Sequence, residues 1–499
     1  MARYKKFDYT QTELIPIPFD EQILEGSFEY TLDYLIENRI DMTVFDHKYR
    51  NDITGAPAYD PRIMLKIILY CYSKGIYSSR EIEYFCRTNI IVKALSANTM
   101  PHFTSIAEFV SSMKEEIYPV FLNILMVCSE MDLIGGDMFA LDGCKFSSNA
   151  SKEWSGTFSN LQKKKEKIEK IVEKMIQEQV KLDNSSELDV IKKSKEMQSR
   201  IQKLEKKAEK IEHFLATESP KMKSRSRRGE KQSNITDNES AKMKTSRGMV
   251  QGFNGLSVVD SKHQVVVYPE AFGSGPEGEF LKGMVRKTKV MLKQDLINTV
   301  FTADTNYFSE RNLKYLANHN VRAVIPDTQY RQRDSRYDTA NRHKPPKKKQ
   351  FGIADFTFIP EKNVYICKNN QEVRYRYDHE IRGIKYGKYI CRPSACGPCS
   401  YRSQCLKTDK VRYRTLQKPL HEENRNYCSE MKDFIDSKEG RDLYGNRLGI
   451  VEPVFGNIRA CKRLDRFTLR GKKKCNIQWV LMNIIHNIGK IQVYGSGLS

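Results

Sequence analysis

Three acidic residues stand where carboxylates could do chemistry. Asp142 ends the apolar run Asp137-Met-Phe-Ala-Leu-Asp142, and Asp304 follows the β-branched run Asn298 to Ala303. Each run has the pattern of a buried strand with a polar residue at its tip. In α/β sheets that C-terminal edge is where functional side chains collect. Glu452 lies far downstream, in a pattern that turns helical at Asn446 and continues through Phe455. If the two strands are neighbours, their carboxylates meet, and a later helix can bring Glu452 beside them. Clustered carboxylates raise one another's pKa unless cations lie between them. Mg²⁺ suits such a set because it prefers hard oxygen ligands and keeps sites open for water and phosphate. Two such ions about 3.5–4 Å apart stabilise the attacking and leaving oxygens of an in-line phosphoryl displacement. Each acid also has an ordinary reading, since an Asp after a strand is most often a turn former or helix cap.

A second group is Cys391-x4-Cys396-x2-Cys399-x5-Cys405, set between basic stretches. Four thiolates can hold a structural Zn²⁺ tetrahedrally. Only one CxxC is present, so unmetallated thiols fit the spacing as well, and Cys367 is a substitute ligand. The other cysteines, such as Cys71, Cys86, Cys128 and Cys144, are scattered singly. They read as small core residues in a reducing cytoplasm rather than as a disulfide framework. Trp154, shortly after Asp142, is either a packing residue or a platform for an unpaired base. Trp479 and His486 share an apolar helical pattern and read as core.

The elements that must position these residues follow from periodicity. Residues 1 to about 130 read as mostly helical. Pro61 opens an amphipathic stretch at a first helical turn, where its missing N–H has no partner to lose. Ser78 to Glu81 resembles a capping start for a helix over Glu81 to Arg87, and Thr104 and Ser105 precede a third helix with Ile106, Phe109 and Val110. After the first strand, Ile168, Val172, Met175 and Leu182, and then Met197, Ile201, Leu204, Ala208, Ile211 and Leu215, mark a heptad seam. With Asp183-Asn-Ser-Ser186 as the turn, they predict an antiparallel helical hairpin, followed by a basic, Ser-rich linker over Lys221 to Lys231. Strands at Val250 to Val259 and His263 to Tyr268 form a hairpin, Phe280 to Leu292 a helix, and Ser309 caps another. Val321 to Ile325 is a further strand stopped by Pro326. This order is mixed α/β.

The chain has 499 residues and a net charge of +22. An excess of that size favours a polyanionic partner, most simply nucleic acid. It recurs locally in Arg342 to Lys349. The first residues carry no apolar run after their basic ones, so no secretory signal is expected. No run long enough for a transmembrane helix occurs, and no membrane partner is expected.

The sequence resembles bacterial insertion-sequence transposases of the DDE class, which carry a ribonuclease H-like catalytic core. The resemblance covers nearly the whole chain. Its carriers are Pro61 to Tyr70 with Gly75 to Glu83, Leu141-Asp142-Gly143 with Lys145 and Asn149-Ala-Ser151, Thr236-Asp237 with Gly252-Phe-Asn254-Gly255, Ala303-Asp304 with Tyr307 and Ser309 to Leu313, and Ile450-Val-Glu452-Pro-Val-Phe-Gly456-Asn-Ile-Arg459. It implies that Asp142, Asp304 and Glu452 bind two Mg²⁺ ions, or Mn²⁺ in their place. Asp142 would bridge both ions, with Asp304 and Glu452 each completing one site. Relatives also carry Tyr-x2-Arg-x3-Glu-x6-Lys. Here Tyr444 and Arg447 are present, Arg447 stands one residue further from Glu452, and Arg459 replaces the Lys. Tyr444, Arg447, Arg459, Lys462 and Trp154 are therefore candidate DNA contacts.

The expected organisation is a helical N-terminal, DNA-binding domain over 1–132 and a core in pieces at 133–157, 236–326 and 441–499. A hairpin with its linker (158–235) and a cysteine-bearing region (327–440) interrupt the core. The resemblance implies cleavage at transposon ends and strand transfer to target DNA by a synaptic homodimer in the bacterial cytoplasm, at the nucleoid. A metal-dependent nuclease without strand transfer, a non-catalytic DNA-binding protein, and a structural or scaffolding protein built on the helical hairpin remain the alternatives.

Overall fold

The computed structural model describes residues 16–49, 57–183, 188–222, 229–245, 248–337, 339, 351–381, 384–408, 410–420 and 426–495. The expected turn at 184–186, the middle of the linker and the basic stretch 342–349 lie outside them.

The apolar runs assemble into one six-stranded sheet. Its strands are β1 (Met138–Ser147), β2 (Ala241–Thr245), β3 (Gly248–Asp260), β4 (Val266–Phe272), β5 (Val300–Ala303) and β6 (Arg322–Val324). The order is β2-β3-β1-β5-β6, with β4 also paired to β3. β1, β3 and β4 run antiparallel, whereas β5 and β6 add in parallel on the other side of β1. Leaving aside the edge strand β2, this is the mixed sheet of a ribonuclease H-like core. The β3–β4 corner is tied by Asp260, whose buried carboxylate accepts the N–H groups of Gly135, Gly136 and Lys262. Parallel strands need crossovers. The helix Leu281–Leu292 leads into β5, and Glu310–Asn318 leads into β6. Ser309 caps the latter by accepting from the Asn312 N–H.

Two expectations need correction. Asp142 is not the tip of its strand, because β1 continues to Ser147. Its antiparallel partner β3 keeps bonding it as far as the Ser147–Gly252 pair. Thr104 and Ser105 lie inside the helix Phe103–Ser112, and His102 takes the N-cap. An imidazole nitrogen can accept from the first turn as a hydroxyl would.

The helix Lys472–Tyr494 is the spine of the molecule. It is buried over most of its surface from Cys475 to Ile491, with amides and His486 among the apolar side chains. Its amides stitch it to the sheet. Asn487 exchanges two hydrogen bonds with the backbone of Val266, Asn476 accepts from the Ala271 N–H, and Asn483 accepts from Ser257. The Asn487 and Asn476 bonds occupy backbone groups of β4, a strand with no second sheet partner. The helices Phe28–Asn38, Pro61–Ser73 and Ile117–Glu130 pack against this helix as well. One continuous core consequently runs from Leu32 to Ile491. His486 is buried there against the Gln264 carbonyl, and burial pushes its pKa down to about 3, so it is a neutral structural residue. Among the described residues, no helix is long and apolar enough to cross a membrane.

Two further bodies have small cores of their own. The helices Phe158–Asp183 and Leu188–Thr217 pack along the expected seam, burying Ile168 and Val172 with Ile201, Ala208 and Ile211. Strands β7 (Thr357–Ile359), β8 (Val364–Ile366), β9 (Glu372–Ile381), β10 (Ile384–Cys391) and β11 (Thr415–Pro419) form an antiparallel meander around Tyr365, Val373, Tyr389 and Leu416.

The Gly252-Phe-Asn-Gly255 segment has a packing reason. A Cβ on Gly255 would come within 2.7 Å of the fully buried Trp479 indole, whose Nε1 donates to the Leu256 carbonyl at 2.9 Å. The close-packed ring has nowhere to move. Gly255→Ala is expected to lower stability by about 2–3 kcal/mol, read as a fall in denaturant midpoint with an unchanged slope.

Candidate active site

The register of the sheet sets two acids abreast. β1 and β5 pair in parallel as far as Leu141 and Ala303, so the next residue on each chain is Asp142 and Asp304. Beyond this point β5 no longer pairs with β1, whereas β3 still does, and Ser147 at the end of β1 bridges Arg466. Asp142 Oδ1 accepts from the Gly143 N–H at 2.8 Å, and its Oδ2 is 2.7 Å from Arg447. Burial raises the Asp142 pKa against the pull of that guanidinium. Asp304 caps the short turn Thr305–Tyr307, accepting the Asn306 backbone N–H on Oδ1 and the Asn306 amide on Oδ2. The ordinary reading of an Asp after a strand is thus true of Asp304, yet its carboxylate still faces its neighbour.

A third acid joins them, one with no signal in the chain's periodicity. One oxygen each from Asp142, Glu277 and Asp304 lies within 4.8 Å of the others. Glu277 sits in Gly273-Ser-Gly-Pro-Glu-Gly278, the loop that leaves β4. It is 5% exposed, accepts from the Asn254 amide at 2.9 Å, and has Lys145 3.7 Å away. Burial, more than the neighbouring carboxylates, pushes its pKa up to about 7. An acid in a Gly/Pro-rich loop directly after a strand is the sequence feature that marks it. The three acids line an open cavity of about 690 Å³ with Lys145, Lys244 and Arg459. Hard carboxylate oxygens at this spacing fit a small divalent cation.

The other expected residues divide. Arg447 is 6% exposed and belongs to the site as the ion-pair partner of Asp142. Its neighbour Tyr444 packs edge-on to Tyr330. Arg459 is exposed at the cavity, over the Phe146 ring and 3.4 Å from Cys144 Sγ. Glu452 is exposed on the same helix, Lys438–Gly456, and lies outside the three-acid group. At ~100° per residue it stands about 140° round the helix from Arg447. Lys462 lies elsewhere: it is partly buried near the Phe28 ring, and its carbonyl accepts from Tyr77. Trp154 is half-buried at the base of the hairpin, with the Lys164 ammonium over its ring.

The cysteines gather without forming a comparable group. Cys391 and Cys396 are buried in the small core of the meander, with Cys367 and Cys405 packed against it and Cys399 outside it. Burial pushes the Cys391 thiol up to about 12, with Cys396 adding to the shift. Arg402 donates to the Cys396 carbonyl and Arg414 to the Cys405 carbonyl, which holds the loop by main-chain hydrogen bonds. Among the described residues, the acids alone bring three ligand atoms so close together.

A mixed sheet of this order, with acids abreast where β5 ends, defines a ribonuclease H-like protein with an acidic, cation-ready site. Comparison with known families then gives the particular kind. A model described as a transposase DDE domain matches residues 366–492, and one described as a transposase domain (DUF772) matches residues 17–112. The first spans the cysteine loop, Tyr444, Arg447, Glu452 and Arg459; the second spans the N-terminal helices. A search of curated proteins finds no match. Together the two matches support an insertion-sequence transposase of the DDE class.

Glu277 carries a pH signature. Its raised pKa means that the folded metal-free protein holds a proton that the unfolded chain releases near pH 4.5. Stability therefore falls as pH rises from about 4.5 to 7 through this group. Glu277→Gln should remove that slope and leave the chelator-treated protein more stable than wild type above pH 7, by on the order of 2–3 kcal/mol. Urea melts across this pH range measure it.

Proposed function

We propose that this transposase binds the ends of its element and cleaves and joins DNA at the Asp142–Asp304 site, with divalent metal ions held there. The observation that carries the reading is the side-by-side placement of these two carboxylates where β5 ends in a ribonuclease H-like sheet. Mg²⁺ or Mn²⁺, when bound, would supply charge stabilisation at the phosphate for water attack and for attack by a freed 3′-OH. The chain's own residues supply positioning. Asp142 and Asp304 hold the ions, and Glu452 provides a further carboxylate from its helix, as the Ile450 to Arg459 motif implies. Arg447 neutralises Asp142 and orients it. Arg459, Lys145 and Lys244 line the cavity as contacts for the DNA backbone. Tyr444 steadies the Arg447 helix through Tyr330.

The N-terminal helices are the reading for terminal-repeat recognition, and a synaptic homodimer is the expected assembly. Trp154 serves as a base platform only if DNA displaces Lys164 from its ring. Lys462 contacts DNA only if the groove around Phe28 receives it. The cysteine loop holds Zn²⁺ if its thiols draw closer than they stand, and otherwise forms a plain core.

Incubation of the full chain with duplexes bearing the inverted repeats that flank its own coding sequence tests the reaction. With Mg²⁺, wild type is expected to nick at the repeat ends and join the product to target DNA. Asp142→Ala and Asp304→Asn should each reduce both activities by at least about 10³-fold. Nicking without joining would favour the nuclease alternative, and equal activity in Asp304→Asn would end the proposal.

A further inference from the structure

We propose that Glu277 is a metal-ligating residue, which adds a third carboxylate to Asp142 and Asp304 at the centre. This rests on the metal-dependent reading above. The ligand class is a small, hard divalent cation, Mg²⁺ or Mn²⁺.

Four observations converge on it. The first is distance: one oxygen from each of the three acids lies within 4.8 Å of the others. The second is imperfect compensation. Glu277 is almost fully buried, and its ion-pair partner Lys145 stands at 3.7 Å, beyond hydrogen-bond reach. A buried carboxylate so weakly paired is costly, and a cation between it and the two aspartates removes that cost.

The third is an unmet donor. Tyr307 is fully buried, and its hydroxyl has no hydrogen-bond partner. The charges acting on it are those of Glu277, Asp142, Asp304 and Arg447, which sets it within this site. Asn254 adds an unpartnered buried oxygen on the same amide that donates to Glu277. Buried polar atoms without partners cost free energy, and they concentrate where a ligand completes them. The fourth is rigidity. A Cβ on Gly278 would meet the Asn306 carbonyl at 2.5 Å, so the Glu277 loop presses directly on the Asp304 turn. Asn312 then locks the two together, its amide donating to the carbonyls of Gly278 and Tyr307 at 2.8 and 2.9 Å. The spacing between Glu277 and Asp304 is built in, as a preorganised ligand set requires.

The rival role for Glu277 is structural: an acceptor that holds Asn254. Glu277→Gln separates the two, because its amide oxygen still accepts from Asn254 while its ligand charge is lost. The test uses the full chain after chelator treatment, with Mn²⁺ as the probe. Binding is followed by the electron paramagnetic resonance signal of free Mn²⁺, and unfolding by the Tm with and without Mn²⁺. Glu277→Gln is expected to weaken Mn²⁺ binding by about tenfold or more. It should also lose most of the Mn²⁺-induced rise in Tm, while its chelated Tm is at least that of wild type.

Wild-type Mn²⁺ affinity in Glu277→Gln, alongside loss of affinity in Asp142→Asn, would overturn the role of Glu277 and leave the metal reading standing. Failure of the wild-type chain to bind Mn²⁺ would overturn both. Should Glu277→Gln not fold, Glu277→Asp, which withdraws the carboxylate by one methylene, is expected to bind Mn²⁺ more weakly. Unchanged affinity there would likewise overturn the proposal.

Discussion

Parallel pairing of β1 with β5 stops at Leu141 and Ala303, and the meeting of Asp142 with Asp304 depends on where it stops. Neighbouring strands lie about 4.8 Å apart. Acids that follow a matched register on both are therefore forced together whatever their mutual repulsion. The strands can afford no slip, because a one-residue shift would turn Asp142 to the other face and bury it in the core. The register is pinned on the far side of β1 by nine antiparallel pairs with β3, from Phe139–Asp260 to Ser147–Gly252. Behind them, Trp479 and the amides of the spine helix hold β3 and β4 in place.

Repulsion among the acids is then met in two ways. Arg447 reaches in from the helix Lys438–Gly456 and neutralises Asp142 directly. Lys145 stands 3.7 Å from Glu277, and Lys244 and Arg459 line the same cavity. A protein of net charge +22 thus keeps a small anionic centre inside a basic rim. A basic rim of this kind favours a polyanion, and an acidic centre favours a cation. Burial raises the pKa of Asp142 and Glu277 against the pull of the neighbouring Arg447 and Lys145. Local destabilisation of this kind is typical of sites whose full complement of charge arrives with a ligand.

The hairpin and the meander leave this arrangement intact because each closes its own core. The hairpin departs after β1 and returns through the short Ser155–Asn234 and Gly156–Ser233 pairing, so its length does not disturb the sheet. The meander is inserted between β6 and the Arg447 helix in the same manner. The N-terminal helices differ. They share the continuous core with the six-stranded sheet through the spine helix. A strain at either side of that helix is felt by the other, since close-packed interiors transmit displacement.

Much of this was legible in the chain. Asp142 and Asp304 stand out because an apolar or β-branched run ending in a carboxylate is a local pattern, and burial of the run makes the acid's position predictable. The heptad seam from Ile168 to Leu215 is local in the same sense, as is the apolar helical pattern with Trp479 and His486. Tertiary structure alone decided the rest. Glu277 lies in a loop without periodicity, and it becomes a site residue only because Gly278 and Asn312 press that loop against the Asp304 turn. Arg447 reads as an exposed helix residue until its partner, some three hundred positions earlier, is placed beside it. Lys462 reads as a surface cation until the N-terminal helices cover it. Periodicity reports which face of an element is apolar; which charged groups share a cavity depends on contacts between elements remote in the chain, and those exist only once the sheet has closed its register.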